Sequence, residues 1–370
     1  MEKVLVYGMT SNPGGIESYL INLLKYAKEN GVQLDFITDF PEIAYEKIIR
    51  EYGGEIYYIP PKGKKLLAHW LCFYKILKNH QEYKIIYFNV LNAGAAFTAV
   101  IPWVLKRKIV IHSHNGETDQ KQLQRLSRPI LNLMTDERIA CSKVAAEFMF
   151  GTRSLKKTNI LIVPNAIDID KYEFKQQICK KVRDEMNLNG KLVICHIGRL
   201  TEQKNPLRLL EIFKTVLQKE KEAVLLSVGT GEMEKEVHDY AMKLEIQDSV
   251  RFLGKRDDVS ELLQGSDVFV LPSKYEGLPI VAIEAQASGI PSVLSSTISK
   301  EVNISGRIKF LDLGESNEKW ADEILKSAGE SRYECVETLK EEGYDSNKMS
   351  EQTRHLITIF KDKRNEEDNK

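Results

Sequence analysis

Residues 268–295 read VFVLPSKYEGLPIVAIEAQASGIPSVLS. An apolar run at 268–271 enters a loop punctuated by Pro and Gly, a helical pattern follows, and a second apolar run comes at 291–294. Short apolar runs joined through a helix mark parallel strands buried on both faces. Pro279 suits the first helical position, where its missing N–H costs nothing. Glu276, Gly277 and Leu278 then sit in the loop at the strand's carboxyl end, and Glu284 lies in the helix.

Outward from this segment the same pattern repeats. Strands are expected at 191–197, 224–228, 250–253 and 308–311, with helical patterns at 206–219 and 232–244. The first half has its own set at 3–7, 34–38, 55–59, 84–89, 108–114, 137–142 and 160–163. An amphipathic helix at 16–28 puts Tyr19, Leu20, Leu23 and Leu24 on one face. The pattern predicts an α/β fold of two Rossmann-like domains, 1–170 and 171–346. A helical stretch at 347–362, with Met349, Thr353, Leu356, Ile357 and Phe360 as its stripe, precedes a polar tail at 363–370 expected to fray. Open parallel sheets bind ligands beyond the carboxyl ends of their strands, so facing halves would hold the site in the cleft between them.

The chain has 370 residues, with 53 Lys+Arg against 53 Asp+Glu. Zero net charge argues against a nucleic-acid binder. Residues 1–170 nevertheless carry 22 basic and 17 acidic side chains, and the remainder 31 and 36. A basic first half suits an anionic surface or substrate, and equally fits ordinary scatter. Five scattered cysteines without a CxxC fit a reducing cytosol. The start MEKVLVYG enters a strand directly, so a cytoplasmic location is expected. The stretch AHWLCFYKILKNH at 68–80, preceded by KGKK, suits either the inner face of an anionic membrane or packing on the first sheet.

Several loops carry residue types fit for chemistry. Gly14 and Gly15 precede a helix, where backbone N–H groups can meet a phosphate; a plain turn explains them as well. KLVICHIGRLTEQKNP puts Gly198, Arg199 and Lys204 after the second half's first strand. An Arg that grips two oxygens and a Lys acting as a point charge suit a diphosphate. Gly229 and Gly231 mark another strand-to-helix turn. KIVIHSHN ends a strand with His112, His114 and Asn115; alternate residues share a face, so the two imidazoles can lie together as acid/base, hydrogen-bonding or structural groups. No Cys or third His is near to complete a zinc set. Asp168 and Asp170 form a DxD better read as a cap or hinge than a metal site.

With GGIE, HSHN, VPNAID, GRLTEQKNP, VGTGE, RFLGKRDDV and SKYEGLPIVAIEAQASGIP in this order from Gly14 to Pro291, the chain resembles a retaining glycosyltransferase of family 4, with the GT-B fold. Capsule and exopolysaccharide transferases of bacteria are the nearest in style. The resemblance implies that Arg199 and Lys204 stabilise a donor diphosphate with the amides of Gly15, Gly277 and Leu278. It implies that Glu276 meets donor-sugar hydroxyls, Glu284 accepts from the ribose, and Gly254 and Lys255 border the base. His114 fits the cleft position better than His112, and the terminal helix is expected to cross back onto the first domain. Ser295–Ser296 departs from the Ser-Asp often found there. The implied partners are a nucleotide sugar, with uridine the expected base, and a saccharide or lipid-linked saccharide acceptor. No metal or other cofactor and no nucleic acid are expected.

The implied chemistry is loss of a nucleoside diphosphate from an anomeric carbon, with charge building on the leaving group. A nucleotide-sugar epimerase of the same architecture and an inactive transferase-like subunit are the alternatives. A dehydrogenase would want GxGxxG after a strand, which does not occur.

Overall fold

In the computed structural model, residues 1–11, 14–152, 159–347 and 350–361 are described. The first unit holds β1 (Glu2–Tyr7), β2 (Val32–Thr38), β3 (Ile56–Tyr58), β4 (Ile85–Val90), β5 (Lys108–Ser113), β6 (Glu137–Ala140) and β7 (Leu161–Ile162). These pair in parallel, in the order β3-β2-β1-β4-β5-β6-β7. The second holds β8 (Val193–Ile197), β9 (Val224–Val228), β10 (Val250–Gly254), β11 (Val268–Leu271), β12 (Ser292–Ser295) and β13 (Lys309–Leu311), in the order β10-β9-β8-β11-β12-β13. Each sheet thus reverses direction of growth once, between β1 and β4 and between β8 and β11. In doubly wound sheets a crevice opens at such a reversal.

Central strands are buried on both faces, which is why they read as unbroken apolar runs: IIYFNV in β4 is buried at every position. On one face of the first sheet, Leu20, Leu23 and Leu24 of the helix Gly15–Glu29 join Val4, Val6, Phe36 and Tyr87 in a core. The helix Glu351–Lys361 adds Leu356, Ile357, Ile359 and Phe360 to that same core and so belongs to the first unit. Met349 and the tail 363–370 lie outside the described residues.

The chain passes into the second unit at Ile167, a little before the expected boundary at 170. Ile167 already bridges Asp345, and the helix Ile169–Tyr172 packs on second-unit helices. In that unit the helix Pro206–Lys219 packs Leu209, Leu210, Phe213 and Val216 against the sheet, with Trp320 fully enclosed beside them. Pro206 occupies the first turn. Pro279 instead caps its helix, Ile280–Ala287, from just outside it. Among the described residues no helix is long and apolar enough to cross a membrane.

Candidate active site

The loop after β8 carries Gly198, Arg199 and Lys204, and the loop after β11 carries Glu276. The two are stitched together by hydrogen bonds to backbone carbonyls. Asn205 Nδ2 donates to Pro272 O (3.1 Å), Gln203 Nε2 to Tyr275 O (3.1 Å), and Lys274 N to Gln203 O (2.8 Å). Asn205 takes a left-handed conformation (φ 57°) to bring its side chain there. At the centre Lys204 Nζ makes an ion pair with Glu276 Oε1. The aliphatic stem of Lys204 runs over Gly198, where a Cβ would sit 3.2 Å from Lys204 Cδ.

Glycine is required in the neighbouring turn. Gly229 has φ +128°, and a Cβ on it would overlap the carbonyl oxygen of Gly198. Gly229 N also donates to Gly254 O (2.8 Å). The ends of β8, β9 and β10 are therefore held at backbone contact distance, with Gly254 and Lys255 at the rim. Arg199 is exposed, and among the described residues its guanidinium meets no hydrogen-bond or ion-pair partner.

On the other side of the Glu276 loop, Ser295 Oγ (2.5 Å) and Thr297 Oγ1 (2.9 Å) both donate to Ser273 O. Glu276 itself pairs with Ile298 in a parallel bridge. At the Ser-Ser departure, Ser295 thus braces this loop, while Ser296 Oγ donates to Asp312 (3.1 Å). Gly277 and Leu278 are buried in the turn into the helix Ile280–Ala287, whose first N–H groups have no acceptor within the helix.

Glu284 lies in that helix, half-buried, and accepts from Tyr172 Oη (2.7 Å). Desolvation raises its pKa, opposed by the Tyr172 bond and the Lys171 charge. Sequence reasoning missed Tyr172, because nothing local links positions 112 residues apart. It also missed His196 in β8. His196 Nδ1 contacts Val270 O (3.0 Å), its Nε2 is buried without a partner, and burial pushes its pKa down to about 4.

In the first unit, Gly14 caps the helix Gly15–Glu29 in extended conformation. Glu17 of GGIE folds back to accept from Thr10 N (3.0 Å) and Thr10 Oγ1 (2.8 Å), closing the loop after β1. His112 and His114 do share a face of β5: their rings are 4.0 Å apart. His112 is fully enclosed, with Nδ1 against Tyr87 Oη (2.5 Å), and Tyr87 in turn meets Tyr19 Oη (3.0 Å). His114 retains 9 % exposure, with Nε2 against Asn89 Oδ1 (2.9 Å). Burial holds both neutral, with His114 lowered to about 3 and His112 well below its ordinary value. Asn115 Oδ1 accepts from Gly116 N (3.0 Å) and shapes the following turn.

The DxD carboxylates have separate partners. Asp168 accepts from Asn347 Nδ2 (2.7 Å), and Asp170 pairs with Lys340 (3.5 Å). Among the described residues no group of three or more His, Cys, Asp or Glu could hold a metal ion.

Comparison with known proteins supplies the family. Residues 13–171 match the model for Glycosyltransferase Family 4, and residues 180–341 that for Glycosyl transferases group 1. The Bacillus subtilis (strain 168) protein named as the glycosyltransferase EpsF is 30 % identical over 353 residues, covering 90 % of this chain and 91 % of its own. An Escherichia coli UDP-Gal:alpha-D-GlcNAc-diphosphoundecaprenol alpha-1,3-galactosyltransferase is 25 % identical over 304 residues, 76 % of this chain and 72 % of that one. Among solved structures, Anabaena Alr3699/HepE in complex with UDP and glucose superposes with a TM-score of 0.74 at 20 % identity, covering 97 % of this chain and 95 % of that one. With both halves matched in order and a relative similar over nearly its whole length, the chain belongs to the family 4 glycosyltransferases and has their two-domain GT-B fold.

Proposed function

We propose that this glycosyltransferase moves a sugar from a UDP-sugar to a hydroxyl of a saccharide or lipid-linked saccharide, with retention at the anomeric carbon, in surface-polysaccharide synthesis. Two likenesses support the donor and acceptor classes: HepE binds UDP and glucose, and the Escherichia coli relative is named for a UDP-galactose donor and a diphosphoundecaprenol-linked acceptor. A lipid-linked acceptor also makes the inner face of the cytoplasmic membrane the natural place of work.

The observation that carries the site reading is the Lys204–Glu276 pair at the switch point between β8 and β11. Arriving diphosphate draws Lys204 to its oxygens, and exposed Arg199 closes on them from the rim. Glu276, released from Lys204, accepts hydrogen bonds from the sugar hydroxyls. Glu284 accepts from the ribose, Gly254 and Lys255 border the base, and the amides of Gly277 and Leu278 add N–H groups at a helix start. In the first unit, the Gly14–Gly15 turn offers amides to the diphosphate, and His114 and Asn115 meet the transferred sugar or acceptor. His112 supports His114 from inside the core.

As the glycosidic bond breaks, negative charge gathers on the leaving diphosphate. Fixed cations and amides aimed at that charge lower the barrier without reorganising. This reading assigns to Arg199 and Lys204 the charge stabilisation that a metal provides in other transferases, so no metal enters the step. Thermal melting with UDP tests it first: UDP should raise the melting temperature, since it binds only the folded chain. Absence of any shift with UDP, alongside a clear shift with another nucleoside diphosphate, would replace the base assignment.

A further inference from the structure

Exposed large apolar side chains are distributed unevenly. Among the described residues of the second unit Met242 alone is of this kind, whereas the first unit has a concentration on three successive helices. These are Lys62–Asn79, Ala96–Val104 and Lys121–Met134, and the middle one packs against both others. Each uses one face to cover the sheet: Phe73 and Leu77, Ala99, and Leu131 and Met134 are all buried. Each also leaves an apolar stripe outside.

On the first helix the outer stripe is Leu67, Leu71 and Tyr74, at helical spacing and 73 %, 61 % and 41 % exposed. On the third it is Leu126, Ile130 and Leu133, at 73 %, 56 % and 75 %. Trp103, 47 % exposed, stands at the end of the middle helix. Beside it a cavity of about 400 Å3 opens between Trp103, Val104 and Leu133, with Lys106, Arg107 and Asp136 at its edge. Exposed leucines in these numbers are not scattered surface residues; together they form a patch that water solvates poorly.

The charge on the same helices has one sign. Lys62–Asn79 contains five lysines, exposed Lys106 follows the middle helix, and Lys121–Met134 contains Lys121, Arg125 and Arg128; Arg107 and Lys108 beyond Lys106 are buried and do not belong to this face. None of the three stretches contains an Asp or Glu. This is where the positive excess of the first half resides. Nearby acids are few: Asp119 and Glu117 precede the third helix, where Glu117 pairs with Lys121 (3.5 Å), Asp136 is used to accept from Ile109 N (2.7 Å), and Glu137 pairs with buried Lys108 (3.3 Å). Two functions explain the rest poorly. A fold-stabilising helix has no use for an outer leucine stripe, and a self-association face built of cations alone would repel its copy.

We propose that these three helices form a docking face for an anionic lipid bilayer, with Leu67, Leu71, Leu126, Ile130, Leu133 and Trp103 entering the interface and the exposed Lys65, Lys75, Lys78, Lys106, Lys121 and Arg125 meeting phosphate headgroups. Amphipathic helices with apolar and cationic faces bind in this way, by apolar burial and electrostatic attraction together. The proposal deepens the functional reading, because docking brings the enzyme to a lipid-linked acceptor. It does not share its test with that reading: donor binding is measured by UDP-induced melting shifts without lipid, and docking with lipid and no donor.

The experiment uses the full chain with vesicles of phosphatidylcholine containing roughly one-third phosphatidylglycerol, against pure phosphatidylcholine. The protein should sediment with the anionic vesicles, and salt should weaken the association. Tryptophan emission should shift to the blue and be quenched by brominated lipid, and in a Trp70→Phe background the change should be lost on adding Trp103→Phe; Trp320 is fully buried and should not respond. Leu126→Ser/Ile130→Ser/Leu133→Ser should reduce binding by about tenfold or more. Lys121→Glu/Arg125→Glu should abolish the preference for anionic lipid. All variants lie on the surface and should keep wild-type UDP melting shifts. Equal sedimentation of the wild type and the triple variant would overturn the proposal. So would a concentration-dependent dimer of the wild type that the triple variant loses, since the face would then belong to a second copy.

Discussion

Lys204 and Glu276 are largely enclosed, with side chains 15 % and 11 % exposed, and each compensates the other's charge. Removing one partner leaves the other charge uncompensated, which costs stability as well as chemistry. Lys204→Ala should therefore lower the rate of transfer by about a hundredfold, roughly 3 kcal/mol in the barrier, and also lower the melting temperature. Lys204→Met/Glu276→Gln removes both charges and should recover melting temperature but not rate; recovery of rate would make the pair merely structural. Arg199→Ala differs, because Arg199 is exposed and unpaired: the rate should fall comparably while stability moves within about 0.5 kcal/mol. Tyr172 acts through Glu284. Its hydroxyl bond opposes the rise in the Glu284 pKa caused by burial, so Tyr172→Phe lets that pKa climb further. The lost bond, worth about 1 kcal/mol, should weaken UDP binding about fivefold. Calorimetric titration should show a greater loss at pH 5.5 than at pH 8, since protonation spoils the carboxylate as an acceptor; a loss independent of pH would separate Tyr172 from Glu284.

The helix Glu351–Lys361 is the element whose removal should matter most for its size. Phe360 is 1 % exposed and meets the Tyr87 ring edge-on at 5.1 Å, and Tyr87 holds His112. Phe360→Ala should cost about 3–5 kcal/mol, read as a lower urea midpoint. A shift under about 1 kcal/mol would mean that the helix only rests on the core. The apolar period at 356, 357 and 360 made this helix legible, although the buried set includes Ile359 and only part-covers Thr353. The strands were legible for a related reason: central parallel strands are apolar on both faces, and Gly or Pro interrupts them where the chain turns. What was not legible depends on side chains that meet only through the fold. Tyr172 reaches Glu284 across 112 positions, and Tyr19 reaches Tyr87 across 68. The role of Glu17 in closing a loop was equally hidden, since an acidic residue in a first helical turn ordinarily reads as favourable to the helix dipole. The outer leucine stripes were half visible: 68–80 read as amphipathic, but which of its apolar residues face outward required the packing of its neighbours.

Over the whole molecule, both units bury histidine in neutral form: His69, His112 and His114 in the first, His196 in the second. Desolvation is the first cause in each, and it depresses the pKa to about 3 for His114 and about 4 for His196. The unfolded chain exposes the same imidazoles, which then bind protons near pH 6.5. Between that value and the native one the unfolded state holds more protons, so stability is fully present above about pH 6.5 and falls as the solution is acidified. Each of His112, His114 and His196 contributes a slope of up to about 1.4 kcal/mol per pH unit, or about 2 kcal/mol by pH 5. Most carboxylates remain ionised at pH 5, so the loss in that window belongs to the histidines. Urea unfolding at pH 8.5, 7.5 and 5 should show a midpoint that holds between the first two and drops at the third. His196→Gln tests the second unit separately: Gln cannot gain a charge, so the drop should shrink for the transition of that unit alone. A midpoint unchanged down to pH 5 would mean that acid reaches these imidazoles without cost, and that the enclosure seen around β5 and β8 opens in solution.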